Sequence, residues 1–179
     1  MANKILNKLL AGDLRRKGRS EEVVSDLCRH PQLLEDLLQG LCHPDPAVRM
    51  RTADALEKYS RDHAAALDPY KKCFINDFAA IGQKEVRWHM AQILPCLTLT
   101  RLERQRVFNI LSGYLEDDSR IVKTFALQGL AELAGQDHRY APRVLMRVES
   151  LMASGIPSVE SRARKLLPQL WKMSLPSAE

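Results

Sequence analysis

The sequence has little of what marks membrane proteins and β-sheet proteins. Aromatic residues make up only 6% of its 179 residues. No apolar run approaches the ~18–20 residues that a helix needs to cross a bilayer, so we expect no membrane partner. Sustained alternation of apolar and polar residues and Asn-Gly or Asp-Gly hairpin turns are also missing. We therefore expect an all-α protein and, because the N-terminus lacks the apolar core of a signal peptide, a cytoplasmic one.

The usual motifs of catalytic and metal sites are missing as well. The five histidines show no spacing typical of a zinc site. A Gly-rich phosphate loop, a Gly-x-Ser-x-Gly elbow and a His-Glu-x-x-His pair do not occur. The sequence thus indicates no catalytic residue, no metal and no cofactor, and the net charge of +5 permits an acidic partner without requiring one.

The cysteines are few and widely spaced. There are four of them, without a Cys-x-x-Cys pair, and each lies within an apolar stretch. Because a helical core of this size needs no disulfide, we expect reduced thiols buried in the core. These cysteines are Cys28, Cys42, Cys73 and Cys96.

What the sequence does contain is a repeat. Val48, Val86, Val122 and Val159 each open a similar segment, and successive valines are about 37 residues apart. Apolar or small residues return one turn, two turns and three turns after each valine, which makes a broad stripe on a helix. A helix buried so widely packs on two sides, against its own partner and against the next repeat.

This pattern resembles the HEAT repeat, a helix pair whose second helix opens with Val-Arg and continues through alanines and leucines. The resemblance covers roughly residues 31–173 and implies a right-handed α–α superhelix, or alpha-solenoid, of about four HEAT-like helix pairs plus N-terminal helices. It predicts a single domain, 1–179, with N-terminal capping helices at 1–30, repeats at 31–66, 67–98, 99–135 and 136–173, and a flexible tail at 174–179.

In HEAT repeats an aspartate in the turn between the helices usually pairs with an arginine of the next unit. Asp45 and Asp118 occupy such turns here, and the basic position holds Arg49, Arg87 and Lys123 in the first three repeats. The fourth repeat has Glu160 there, so the resemblance implies an interrupted ladder of pairs.

Caps and breakers set the expected helix bounds. Ser20 and Thr100 are suited to begin helices, Asp68-Pro69 is expected to open another, and Gly135 is expected to end one. The expected helices span 2–12, 20–29, 31–41, 46–61, 68–80, 84–94, 100–115, 119–134, 140–153 and 157–173.

The resemblance also indicates where to look for a binding surface, because the second helices of HEAT-like stacks line the concave face. The positions expected to face solvent there form an aromatic and basic ridge. Its members are Arg51, Lys58, Trp88, His89, Gln92, Phe125, Gln128, Arg162 and Lys165. An exposed aromatic residue leaves apolar area uncovered unless a partner covers it. The alternative is that Trp88 and Phe125 only lean onto a neighbouring helix.

A second group of cations lies near the N-terminus. Arg15, Arg16, Lys17 and Arg19 could contact phosphates or an acidic partner. The alternative is a solvated loop whose charge is balanced by Glu21 and Glu22. The oligomeric state cannot be read from these patterns.

The sequence therefore favours a non-catalytic, armadillo-like binding scaffold for a protein or peptide partner. The second hypothesis is a nucleic-acid enzyme, since short bacterial alkyl-purine DNA glycosylases are similar stacks of HEAT-like helix pairs with a basic groove. Asp54 and Glu132 lie on the same expected face and weaken that hypothesis, because nucleic-acid affinity depends on neutralising several phosphates. A chromophore lyase subunit is a third possibility that the fold alone suggests.

Overall fold

A computed structural model describes residues 4–10 and 19–175 of the chain. All regular elements in these residues are helices, and no strand occurs among them. This confirms the expectation of an all-α protein. No helix within the described ranges is long and apolar enough to cross a membrane.

The chain divides into two compact units, Met1–Thr98 and Leu99–Glu179. The division falls where the second predicted repeat ends and the third begins. Each unit is described below by itself.

In its described residues unit 1 contains six α-helices, and 3-10 segments lie between or after most of them. The helices are α1 (Lys4–Asn7), α2 (Ser20–Arg29), α3 (Leu34–Leu38), α4 (Pro46–His63), α5 (Lys71–Asn76) and α6 (Lys84–Ile93). The 3-10 segments are Pro31–Leu33, Gln39–Cys42, Ala64–Tyr70, Phe78–Ala80 and Leu94–Cys96. The first helices of the predicted repeats are thus interrupted by 3-10 turns, whereas the second helices, α4 and α6, are continuous.

The long helix α4 is the centre of unit 1. It packs against α2 on one side and α6 on the other. Val48, Ala53 and Leu56 of α4 are fully buried, as are Val86 and Ala91 of α6. The broad apolar stripe of the sequence is therefore buried on both sides of α4, as expected for a helix between two others.

Two local features show why α4 begins at Pro46. The Asp45 carboxylate accepts a hydrogen bond of 2.8 Å from the Ala47 backbone N–H, which caps the helix. Pro46 occupies the first turn, where its missing N–H costs nothing. The equivalent expectation for Asp68-Pro69 is wrong, because both residues lie inside a 3-10 segment. The Asp68 carboxylate instead accepts from the Thr98 N–H at 2.9 Å.

The described part of unit 2 contains four α-helices of 11 to 18 residues. They are α7 (Arg101–Tyr114), α8 (Arg120–Gln136), α9 (Ala141–Leu151) and α10 (Pro157–Ser174). A capping box between Thr100 and Glu103 begins α7. The turn before α10 contains Gly155, whose φ of 74° is a conformation that glycine adopts without steric cost.

The core of unit 2 lies where α8 contacts α7, α9 and α10, and where α9 and α10 pack as a pair. Val122, Ala126 and Val159 are fully buried there. Gly135 was expected to end α8, but the helix continues through Gln136 and stops at Asp137. The expectation was wrong because Asp137 supplies a side-chain acceptor for the following 3-10 turn, so a glycine cap is not needed.

Gly40 allows a close approach between segments of unit 1. A Cβ atom there would overlap the Thr52 hydroxyl and lie 2.8 Å from a methyl of Leu6. At Gly113, within α7, a Cβ atom would meet nothing within 4 Å. The two glycines therefore make a matched pair, one in a crowded site and one in open space.

We expect Gly40→Ala to lower the free energy of unfolding by about 1–3 kcal/mol, because the added methyl overpacks the contact with α4. Gly113→Ala should raise it by about 0.5–1 kcal/mol, since alanine loses less entropy in a helix interior. Urea unfolding of both variants followed by circular dichroism measures the difference. A Gly40→Ala protein as stable as the parent would show that this approach is looser than described.

Candidate functional site

The predicted ridge does not lie wholly in solvent. Arg51 was expected to face solvent, but its relative exposure is 0%. Its guanidinium donates a hydrogen bond of 2.6 Å to the backbone carbonyl of Leu9. The expectation was wrong because the N-terminal segment covers this side of α4, which the repeat pattern could not show. Arg51 ties that segment to α4 and is not part of an open surface.

His89 was also expected to face solvent, and this too is wrong, since only 8% of it is exposed. Its ring lies 5.5 Å from the ring of Trp88, and its buried Nδ1 atom has no hydrogen-bond partner in the described structure. Burial, which disfavours the charged imidazolium, lowers the pKa of His89 to about 4, although the Asp54 carboxylate acts in the opposite direction. His89 is therefore neutral at physiological pH.

A polar cluster connects α2 with α4 close to His89. The Ser20 hydroxyl donates to the Asp54 carboxylate at 2.5 Å, and the Lys58 ammonium donates to the same carboxylate at 2.9 Å. Burial alone would raise the pKa of Asp54, but these two hydrogen bonds outweigh it and hold that pKa below its usual value. The charge of Lys58 is thus balanced by a carboxylate of the same helix.

The cluster contains the chemical groups of a serine nucleophile site, but its serine is not accessible to a substrate. A hydroxyl between a carboxylate and an ammonium could in principle be activated for attack on a substrate. Ser20, however, is fully buried, so no substrate reaches its Oγ atom. The arrangement satisfies buried polar groups where two helices meet, which is a structural role.

Trp88 and Gln92 are the ridge members of α6 that reach the surface. Both are half-buried, so the alternative that Trp88 only leans onto a neighbour describes part of its side chain and not all of it. The Gln92 side chain donates to the Trp88 carbonyl at 3.0 Å, and the Cys96 thiol lies 3.2 Å from the Gln92 carbonyl. Unit 1 therefore presents one indole beside an amide.

Unit 2 has a comparable surface on α8 and α10. Phe125 and Gln128 are half-buried and Lys165 is exposed. The Arg162 guanidinium donates to the Gln128 side-chain carbonyl at 2.6 Å, and the Gln128 amide donates to Glu132 at 2.9 Å. The charge of Arg162 is thereby engaged by neighbouring side chains.

We call these surfaces the second-helix faces: Lys58, Trp88 and Gln92 in unit 1, and Phe125, Gln128, Arg162 and Lys165 in unit 2. They are less basic than the sequence indicated. Among their cations only Lys165 is both exposed and without a hydrogen bond or ion pair to another described side chain.

The N-terminal basic cluster is described only in part. Arg15, Arg16 and Lys17 lie outside the described residues. Arg19 is exposed and forms a two-point ion pair with Glu22, with N–O distances of 2.7 and 2.5 Å. This balance by a neighbouring acid is what the solvated-loop alternative predicts for Arg19.

The four cysteines form no disulfide and are not buried. Cys28, Cys42 and Cys96 are exposed, and Cys73 is partly exposed. The expectation of core thiols was wrong, because Cys28, Cys42 and Cys96 lie near the ends of helical segments and Cys73 lies on a partly exposed side of α5. No group of three or more His, Cys, Asp or Glu residues in the described ranges is arranged to hold a metal ion.

Two exposed features were missed by sequence reasoning. Trp171 of α10 is 54% exposed, although its helix was predicted correctly. Arg143 and Arg147 of α9 stack on the Phe108 ring of α7, with their Cζ atoms 4.2 and 5.3 Å from its centroid. The spacing of Arg143 and Arg147, one helical turn apart, was the only available signal in the sequence.

No family model matches this chain, and no curated protein matches it either. The site must therefore be interpreted from its own geometry.

The lowered pKa of His89 predicts that the free energy of unfolding of unit 1 depends on pH. Its usual value is near 6.5, so between about pH 6.5 and 4 the unfolded chain binds a proton that the folded chain does not. The stability of unit 1 should fall on acidification through this window, by about 2 kcal/mol between pH 7 and pH 5. Urea unfolding followed by Trp88 fluorescence in a Trp171→Phe background measures this.

His89→Gln should flatten the dependence of stability on pH in that window, because the titrating group is gone. His30→Gln removes an exposed histidine of the same unit and should leave the dependence as it is. If the His89→Gln and parent curves run parallel from pH 7 to pH 5, the burial of His89 is not the cause.

The half-buried position of Trp88 is directly measurable. The chain has 2 tryptophans, so Trp171→Phe leaves Trp88 as the single indole. Its fluorescence should be quenched by acrylamide to an extent between that of the urea-unfolded chain and that of a fully buried indole. Complete protection from quenching would remove Trp88 from the second-helix face.

Proposed function

We propose that this chain is a HEAT-like α-solenoid protein and a non-catalytic scaffold that binds a protein or peptide partner through its second-helix faces. The observation that carries the proposal is a half-buried aromatic side chain on the face of each unit, Trp88 in one and Phe125 in the other. Each is placed by a rigid, well-packed helix rather than by a loop.

Support for the HEAT-like arrangement comes from hydrogen bonds within each unit. Four of them join side chains that are 34 residues apart, close to one repeat. They are Ser20–Asp54 and Arg49–Gln83 in unit 1, and Thr124–Ser158 and Gln128–Arg162 in unit 2. Bonds at one constant separation are expected where equivalent helices lie side by side.

The pair of Arg49 and Gln83 is a variant of the HEAT ladder. The Arg49 guanidinium donates to the Gln83 side-chain carbonyl at 2.8 Å, and the Gln83 amide donates to the Pro46 carbonyl at 2.9 Å. Gln83 stands immediately before α6, in the turn where HEAT repeats usually carry an aspartate. The neutral amide keeps the connection between successive repeats while Asp45 caps its own helix.

The chemistry of the faces favours a peptide over a small substrate. Aromatic rings and amides give apolar contact together with backbone hydrogen bonding, which is how interfaces recognise peptides. Asp54 is already bonded to Lys58 and Ser20. The described residues of these faces thus leave no exposed pair of acid and base for catalysis.

The alternative, a nucleic-acid enzyme similar to the alkyl-purine DNA glycosylases, is disfavoured by the state of the cations. Arg51 is buried, Lys58 is paired with Asp54, and Arg162 is bound to Gln128. A groove that binds DNA needs several cations free to neutralise phosphates.

A peptide-display library selected against the full chain tests the proposal. Peptides that bind should lose roughly tenfold or more in affinity with Trp88→Ala or Phe125→Ala, because truncating an aromatic anchor removes most of the local binding energy. Leu175→Ala removes an exposed apolar side chain outside both faces and should leave affinity unchanged.

Two results would contradict the proposal. One is that the selected peptides bind both aromatic variants with the same affinity as the parent. The other is micromolar binding of duplex DNA that weakens steeply with added salt and depends on Trp88, which would favour the nucleic-acid alternative.

A further inference from the structure

Helices α7 and α9 of unit 2 form a surface distinct from the second-helix faces. The buried Phe108 ring of α7 packs against the ring of Tyr140, just before α9, with centroids 5.1 Å apart. Arg143 and Arg147 stack over the same phenylalanine, within the ~6 Å at which a guanidinium is attracted to an aromatic face. One ring thus holds two cations one helical turn apart.

The hydrogen bonds of these arginines are to neutral groups. Arg143 lies 3.5 Å from the Gln105 side-chain carbonyl, and Arg147 lies 3.4 Å from the Arg143 backbone carbonyl. Within the described ranges, no carboxylate lies at ion-pair distance from either arginine. Two like charges near each other without a counter-ion raise the electrostatic free energy, which an incoming anionic group would lower.

Three other exposed side chains lie on the same two helices. Arg106 of α7 is exposed and also has no carboxylate at ion-pair distance among the residues described. Leu102 is 78% exposed and Met146 is 70% exposed. Leu102 lies one turn before Gln105 on α7, and Met146 lies one turn after Arg143 on α9, so they flank the Gln105–Arg143 contact. We call these five residues the arginine face: Leu102, Arg106, Arg143, Met146 and Arg147.

The arginine face differs from those basic positions whose charge is balanced by a neighbouring acid. Arg19, Lys58 and Arg139 each have a carboxylate within 3 Å. Arg143 and Arg147 are pre-positioned by aromatic stacking but are not neutralised. A preformed set of donors loses little side-chain entropy when it binds.

We propose that the arginine face docks an acidic segment of a partner protein that carries apolar residues among its aspartates and glutamates. Charge complementarity selects an anionic partner, and guanidinium groups bind carboxylates through paired hydrogen bonds. The exposed leucine and methionine select a protein over a nucleic acid, because a phosphate backbone has no use for aliphatic contacts, whereas methionine and arginine are enriched in protein interfaces. The proposal does not depend on the second-helix faces binding a peptide.

Fluorescence anisotropy with the full chain tests the proposal against three labelled probes. The first is a peptide in which leucines alternate with pairs of glutamates, the second an all-glutamate peptide of the same length, and the third a single-stranded oligonucleotide of the same charge. The first should bind most tightly, with a dissociation constant on the order of micromolar and a modest loss on adding salt.

Arg143→Gln combined with Arg147→Gln should weaken binding of the first probe roughly tenfold or more. Arg120→Gln combined with Lys172→Gln removes the same charge from exposed positions of unit 2 and should leave binding within about twofold of the parent, because neither cation belongs to the arginine face. Unfolding of both double variants by heat shows whether the fold is kept. Met146→Ser, at an exposed position, should abolish the preference for the first probe over the second even if the arginine variant is destabilised.

Each other outcome would overturn the proposal. Equal loss in both double variants would mean that net charge, and not this surface, binds the peptide. Equal binding of the two peptides by the parent would remove the apolar component. Tighter binding of the oligonucleotide would assign the surface to nucleic acid, and absence of binding by all three probes would assign it to neither.

Discussion

The close packing of successive second helices is the interaction on which each unit depends. In unit 1, α4 lies between α2 and α6, and in unit 2, α8 lies against α10. Fully buried alanines at these contacts, such as Ala53, Ala91 and Ala163, let the backbones approach. Burial of the valine, alanine and leucine side chains supplies the main driving force, at roughly 25 cal/mol per Å² of apolar surface.

This packing explains the unusual polar groups of unit 1. A helix covered on both sides must satisfy every polar side chain that is buried with it, since an unsatisfied group costs about 1–3 kcal/mol. Asp54 is satisfied by Ser20 and Lys58, and Arg51 by the Leu9 carbonyl. The Thr52 hydroxyl and the His89 Nδ1 atom are exceptions, because neither has a hydrogen-bond partner in the described structure. Burial lowers the pKa of His89 and keeps its ring neutral.

The same constraint separates two kinds of surface. On the second-helix faces, Lys58 and Arg162 form hydrogen bonds with neighbouring side chains. Aromatic and amide groups are therefore the main groups available to bind a partner. On the arginine face the underlying group is a phenylalanine ring, which holds Arg143 and Arg147 without neutralising them. The chemistry below a charged side chain thus decides whether its charge is available for binding.

Helices and most of their limits could be predicted from the sequence because they depend on neighbours along the chain. The Thr100 cap, the proline at the start of α4 and the apolar period after each valine act within one or two turns. Gly135 shows the limit of such reasoning. Its helix continues past the glycine to Gln136, and the Asp137 side chain caps the 3-10 turn that follows.

The candidate site depended on contacts between distant parts of the chain. A pattern identifies which side of a helix faces outward from its own repeat, but Arg51 is covered by residues 42 positions away, and Phe108 meets Arg143 of the next helix pair. Local periodicity thus determined that the chain is helical and repetitive. Only the tertiary structure decided which charges are buried, which are paired and which are left at the surface, because burial and ion pairing depend on which segments meet in space.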